Sequence, residues 1–362
     1  MEKEELQSKT ITWLRFPLAV VIVFIHNIDT SGIRETVSQI DYSHLSGIDI
    51  YNLMCFLLKD IVDIVVPLFF IFSGFLFFYK TKVWGLNIYF DKIKSKARTL
   101  ALPYVLWNII PIVLMAFFLF LKFDGSLSIY INQLMENGLL KIFWNYHDGR
   151  FPYNIPLWFL RDLIIVALLS PLVYYFVKYT KLYCIPILGI FYFTVSFPIP
   201  VDIRAIFFFT LGAYFSIHGK NMIVELRKGW LFWLISAIIT LILSVYYGET
   251  NSFHYINFFH IIFGLITTIN VASWLLERGR VSVNYFLSKA NFFIFVAHNV
   301  YLLGRSRELV NFIFKSDSAF FLTIKFFLAP VICIFLCLGL YYVASKTVPK
   351  LLGILTGSRQ RA

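Results

Sequence analysis

Long apolar runs broken by short polar, often basic, connectors set the pattern of this chain. Runs of spanning length fall at about 11–28, 51–79, 99–121, 156–177, 182–199, 203–218, 229–247, 254–276, 284–304 and 319–346. At ~1.5 Å per residue against a ~30 Å hydrocarbon layer, this pattern predicts about ten transmembrane helices. The fifth and sixth are the weakest, being short and interrupted by Pro198, Pro200 and Asp202. Ten spans place both termini on one side. No period of 20–50 residues recurs, which excludes a repeat solenoid, and no polar stretch is long enough for a soluble domain. The expected architecture is an all-α polytopic membrane protein: residues 1–346 form a single ten-helix domain and 347–362 a short basic cytoplasmic tail.

Composition agrees with the pattern. Hydrophobic residues make up 59% of the 362 and charged residues 14%, against ~25% charged in soluble domains. The mean hydropathy is +0.76. The 41 Phe, 21 Tyr and 8 Trp suit lipid-facing surfaces and interfacial belts. In a soluble chain the net charge of +12 would suggest nucleic acid; here loop charge accounts for it, and no nucleic-acid partner is expected. With the N-terminus inside, the inner segments hold 20 of the 32 Lys and Arg and the outer segments 8. The positive-inside rule therefore puts both termini in the cytoplasm. Cys55, Cys184, Cys333 and Cys337 all sit in apolar runs. Cys333 and Cys337 share a face, but no His or carboxylate joins them, so core packing is expected and no metal site. No small-residue cleavage site follows the first run, so the first helix is expected to be retained.

The first run, ITWLRFPLAVVIVFIHN, carries two residues that lipid disfavours, Arg15 and His26. Eleven steps of ~100° end about 20° past three full turns, so both side chains share a helix face, roughly 16 Å apart along the axis. Ionisable groups inside a span usually face a cavity or a partner. The plainer alternative is an Arg snorkelling to headgroups and a His satisfied by a neighbouring helix. Other polar positions carry similar pairs of readings. The basic connector 79–100 serves topology and anionic lipid, or receives phosphates of a cytosolic donor. His147, Asp148 and Arg150 end the longest outer loop, as a lid over the acceptor or part of an interfacial belt. Asp60 and Asp63 would orient His26 or bind acceptor hydroxyls, or else mark a helix entry in headgroup water. Arg161 and Asp162 form an internal ion pair or part of an acceptor site. Trp158 is a sugar-stacking platform or an interfacial Trp. His298 is a site residue or a core hydrogen-bonder, and His218, His254 and His260 read as structural or interfacial.

Several motifs in order resemble one family. Arg15, ten residues, then His26; Phe69-Phe70-x-x-Ser73-Gly74 in the second run; Leu102-Pro103-Tyr104 with Trp107 after a basic loop; Leu157-Trp158-Phe159-Leu160 closing near Ser170-Pro171-Leu172; and His298 in FFIFVAHNVYLL are all similar to the bacterial acyltransferase 3 family. The chain departs from that family's Arg-x-x-Arg pair, having Lys94, Lys96 and Arg98 in KIKSKARTL. The resemblance implies a membrane-bound O-acyltransferase of the bacterial inner membrane, taking a short acyl group, usually acetyl, from acetyl-CoA or another acyl-CoA. That thioester is a co-substrate, and no bound cofactor is expected. The acceptor would be a hydroxyl of an envelope glycan or lipid-linked sugar, presented within the membrane lipid. No separate outer catalytic domain is expected, so the helical unit acts alone or hands over to another protein.

Acyl transfer to a hydroxyl needs a base, oxyanion donors and cations for the donor phosphates. His26 fits the base, with an acyl-accepting nucleophile as its alternative. Arg15, Lys96 and Arg98 fit the donor site; Ser73, Gly74, Asp63, Trp158, Arg161 and His298 are candidates for the oxyanion or acceptor site. On this reading Arg15 and His26 line one cavity. The competing function classes are a transporter or flippase, for which internal symmetry is missing, and a glycan polymerase, which would carry a larger outer loop.

Overall fold

The computed structural model of the chain describes residues 2–28, 32–81, 83–122, 125–145, 151–194, 201–247 and 253–357, and these contain no strand. His147, Asp148 and Arg150 lie outside them, as do Pro198 and Pro200. Every apolar run coincides with a helix: α1 Lys3–Ile25, α2 Gly47–Phe78, α3 Leu86–Phe120, α4 Trp158–Leu168 continued by Ser170–Thr180, α5 Cys184–Thr194, α6 Ile203–Ile217, α7 Trp230–Tyr246, α8 Phe253–Glu277, α9 Tyr285–Ile313 and α10 Ala319–Thr347. Among the described residues, seven helical stretches are long and apolar enough to cross a membrane, Ser170–Thr194 counted as one. That stretch turns back at Lys181, where φ is 51° and ψ is −126°. Its two arms run antiparallel beside α6. Asp162 and Asp202 meet at one end, His218 lies 3.3 Å from the Val177 carbonyl at the other, and Tyr192 packs on Phe207. The protein is an all-α polytopic membrane protein.

The first and last described segments lie at one end of the bundle, called here the terminal end. Asn221 donates to the Lys3 carbonyl there, and Gly357 abuts the Thr99 carbonyl. Two expectations are corrected at this end. The basic stretch is not a loop: Leu86–Lys96 is a helix that a π-helical turn, Ala97–Ala101, joins to the rest of α3. Lys92 Nζ donates to the Phe77 carbonyl at 2.6 Å, satisfying a helix-end acceptor that would otherwise be orphaned. Nor is the segment after 346 a free tail as far as Gly357. Pro349–Leu355 is helical, buries Leu352, and is tied down by Trp107 Nε1 donating to the Leu355 carbonyl at 2.9 Å.

Local sequence explains where the helices start and how tightly they meet. Ser46 and Asp49 form a capping box at the start of α2, and Asn284 caps α9 by accepting from the amides of Phe286 and Leu287. A Cβ at Gly74 would collide with the Phe209 carbonyl, and one at Gly212 with the Ile71 carbonyl. The two glycines let α2 and α6 touch backbone to backbone, as small residues do between membrane helices.

Prolines inside helices release carbonyls that specific donors take up. Pro111 has no N–H for the Trp107 carbonyl, and Asn154 Nδ2 donates to that oxygen at 3.1 Å. Pro330 likewise frees the Phe326 carbonyl, which accepts from Asn27 Nδ2 at 3.2 Å. The helix α9 breaks at Val300 (φ −85°, ψ 79°) and Tyr301 (φ 64°), releasing the Val296 carbonyl, and Asn154 Nδ2 donates to this one too, at 3.1 Å. Asn154 thus locks the break in α9 to the proline turn of α3.

Candidate active site

A cavity of about 550 Å³ opens at the terminal end between α1, α2, α3, α4 and α9. Its volume is in the range of small-molecule sites. Exposed Ser8 and Tyr285 stand at the mouth; Thr12, Arg15, Ser73 and Lys96 follow inward. Lys289, Ser288 and Asn291 of α9 line the opposite wall. Arg15 has no ion-pair partner among the described residues. An unneutralised guanidinium in a cavity wall, with two lysines, favours an anion there. Phe69, Phe159 and Phe295 close the deep end. The Phe159 ring lies 5.7 Å from Phe69 and 5.9 Å from Phe295, centroid to centroid.

The two histidines meet outside this cavity's lining. His26 caps the C-terminus of α1, and its ring centroid is 5.2 Å from that of His298. His298 is fully buried, three residues after Phe295 on α9. Its Nδ1 lies 3.0 Å from the Ile294 carbonyl, which can only accept, so Nδ1 carries the proton. Nε2 is then the bare lone pair, buried and with no protein partner among the described residues. A neutral imidazole with its tautomer fixed in this way is suited to proton transfer. His298 is thus placed beside His26 and is also hydrogen-bonded within its own helix.

The expectation that Arg15 and His26 line one cavity is not met. Arg15 does line this one, but neither His26 nor His298 is among its lining residues; shared helix face sets direction but not what fills the space. Lys96 is in the wall with Arg15. Ser73, a candidate for the oxyanion or acceptor site, lines this same cavity, whose lining includes neither histidine. Arg98 is not in the wall and is exposed, since it sits ~200° further round than Lys96. Gly74 lies within α2, where its amide belongs to the helical ladder, and its missing side chain serves the contact with α6, so it supplies no oxyanion donor. Asp60 and Asp63 do not orient His26. Asp60 accepts from the Ser244 hydroxyl, and Asp63 pairs with Lys59 at 3.4 Å and Arg34 at 3.6 Å. Arg161 is the internal partner of Asp162, with Nη2 to Oδ1 at 2.7 Å, and stacks 4.9 Å over Trp144. The other Asp162 oxygen accepts from the Asp202 amide at 2.9 Å, so the pair joins α4 to α6. Trp158 is half-buried beneath the Arg204 guanidinium at 5.8 Å.

Sequence reasoning passed over Lys289 and Arg307, counting both as loop charges. Lys289 lies inside the ninth apolar run, and that position was the signal. Arg307 donates to the His26 carbonyl and to Asn27 Oδ1; nothing local marks it.

Comparison with known proteins identifies the family. The profile of the acyltransferase domain, acyltransferase 3, matches residues 9–345. The chain belongs to the acyltransferase 3 family. It is also 27% identical over 383 residues to the succinoglycan biosynthesis protein ExoH of Rhizobium meliloti (strain 1021), covering 98% of this chain and 93% of that protein. No solved structure matches. This acyltransferase 3 protein is therefore a multi-pass membrane-bound acyltransferase. The profile takes in both the cationic cavity and the histidine pair.

Proposed function

We propose that this acyltransferase moves a short acyl group, acetyl in the simplest case, from acyl-CoA to a hydroxyl of a cell-envelope polysaccharide or its lipid-linked precursor. The protein would sit in the bacterial inner membrane with the terminal end in the cytoplasm, where basic residues concentrate. The observation that carries the reading is Arg15, unneutralised in a cavity that opens at that end. The donor phosphates bind Arg15, Lys96 and Lys289, and the acyl arm points at the aromatic layer. Movement of Phe295 or its neighbours admits the thioester to the histidine pair.

At that pair, neutral His26 takes the proton of the acceptor hydroxyl as its oxygen bonds to the thioester carbonyl carbon. The tetrahedral intermediate collapses by breaking the carbon–sulfur bond, and the imidazolium returns the proton to the leaving thiolate. Likeness to a succinoglycan biosynthesis protein supports an envelope glycan as acceptor. The test is radiolabelled acetyl-CoA with purified protein, scoring donor binding and thioester turnover separately. His26→Ala is expected to bind donor with turnover cut to a small residual rate, and Arg15→Ala to bind poorly. Wild-type behaviour of both variants overturns the proposal.

A further inference from the structure

Arg307 is a half-buried cation with no carboxylate partner among the described residues. Its Nη2 donates to the His26 carbonyl, and its Nε donates to Asn27 Oδ1 at 3.1 Å. The His26 carbonyl is one of the acceptors that the end of α1 leaves orphaned, and a cation there also suits the helix dipole. Asn27 passes the connection on: its Nδ2 donates to the Phe326 carbonyl, the one freed by Pro330, and lies 3.4 Å from the Lys325 carbonyl. Three helices, α1, α9 and α10, are therefore tied together at residues 26 and 27.

The break in α9 makes this possible. In an unbroken helix, nine steps of ~100° from His298 would put Arg307 about 180° away, on the opposite face. Instead the backbone leaves helical geometry at Val300 and takes φ 64° at Tyr301, a region non-glycine residues rarely occupy. The Tyr301 hydroxyl holds that turn by donating to the Pro111 carbonyl at 3.2 Å. Past the break, α9 is redirected so that His298 and Arg307 both meet the end of α1. One interruption delivers the imidazole partner and the clamp to the same residue.

We propose that Arg307 is a positioning residue for His26: through the His26 carbonyl and Asn27 it fixes the last turn of α1, and so holds the His26 ring against His298. The proposal rests on His26 acting as the base. Without the guanidinium, the last turn loses its anchor and the ring drifts; a misplacement of ~1 Å costs on the order of 100-fold in rate.

The test uses the full chain in phospholipid nanodiscs with radiolabelled acetyl-CoA, in the wild-type and His26→Ala backgrounds. Arg307→Gln is expected to lower kcat by about 100-fold with donor affinity unchanged. In the His26→Ala background it is expected to lower residual turnover no further, because its route of action is gone. Asn27→Ala should reproduce the kcat loss in part, which keeps the test decisive if Arg307→Gln does not fold. Three results overturn the proposal: wild-type kcat in Arg307→Gln, or in Asn27→Ala where the Arg307 variant is not recovered; the same fold loss in both backgrounds, which is what a merely structural role gives; or a loss confined to donor affinity. Wild-type turnover in His26→Ala removes the base reading itself, whereas an inactive His26→Ala beside a fully active Arg307→Gln removes only the positioning role.

Discussion

Asn154→Ala tests how the fold holds the histidine pair in place. The side-chain amide of Asn154 donates to the Trp107 carbonyl, released by Pro111, and to the Val296 carbonyl, released by the break in α9. Removing it strands two buried acceptors at ~1–3 kcal/mol each, or ~2–6 kcal/mol together. The variant also removes Asn154 Oδ1, itself buried without a partner, which returns one such cost of ~1–3 kcal/mol. The expected net loss is ~1–3 kcal/mol. The Asn154 amide still donates to Asn108 Oδ1 at 3.0 Å, so the loop is not cut loose. Cys55, Cys184, Cys333 and Cys337 are all free and buried, so labelling by a thiol-reactive dye on heating reports unfolding. Asn154→Ala should lower that midpoint by several degrees and slow acyl transfer, because the break beside His298 loses its lock. Asn154→Asp, which turns the donor into a third acceptor facing two carbonyls, should be worse. A midpoint for Asn154→Ala equal to wild type would refute the assignment of Asn154 as that lock.

Two further outcomes follow from the packing and the cavity. Gly74→Ala should push α2 off α6 and abolish or sharply reduce folded yield in detergent, since the obstacle is the Phe209 backbone and not a side chain that can move; Gly189→Ala, with nothing within 4 Å of the added carbon, should leave yield unchanged. Lys96→Ala should weaken donor binding by roughly tenfold, the loss of one charge-assisted contact of ~1.5 kcal/mol, while Arg98→Ala leaves it unchanged, both read by equilibrium binding of acyl-CoA.

What could be read from the residues in order was whatever depends on spacing along one helix. Each of the ten apolar runs fell on a helix among the described residues, because burial of apolar length in lipid is a property of each run alone. The ends were less legible, α1 starting 8 and α3 13 residues ahead of their runs and α9 ending 9 residues beyond its own. Arg15 was found the same way, as a charge in an apolar run, and it does face a cavity. Charge density was a poorer guide to detail. It marked the stretch around Lys96 and Arg98, but only the turn of α3 decides that one lines the cavity and the other faces solvent. Gly74 shows the limit of a motif: its role is set by Phe209, 135 positions on, which no local pattern announces.

The sequence by itself determined the class, the apolar runs that become helices, and the residue types that transfer needs. The tertiary structure decided which of them meet. His26 and His298 are far apart in the chain and share no motif, yet their rings lie side by side. Arg307 reaches His26 only because α9 breaks at Val300 and Tyr301. The phenylalanines that line the cavity with Arg15, Phe69, Phe159 and Phe295, are brought together from α2, α4 and α9. The physical reason is common to all three. Helix periodicity fixes the direction of a side chain from its own run, but contact across helices depends on kinks, freed carbonyls and close glycine approaches, and those are settled jointly by residues hundreds of positions apart.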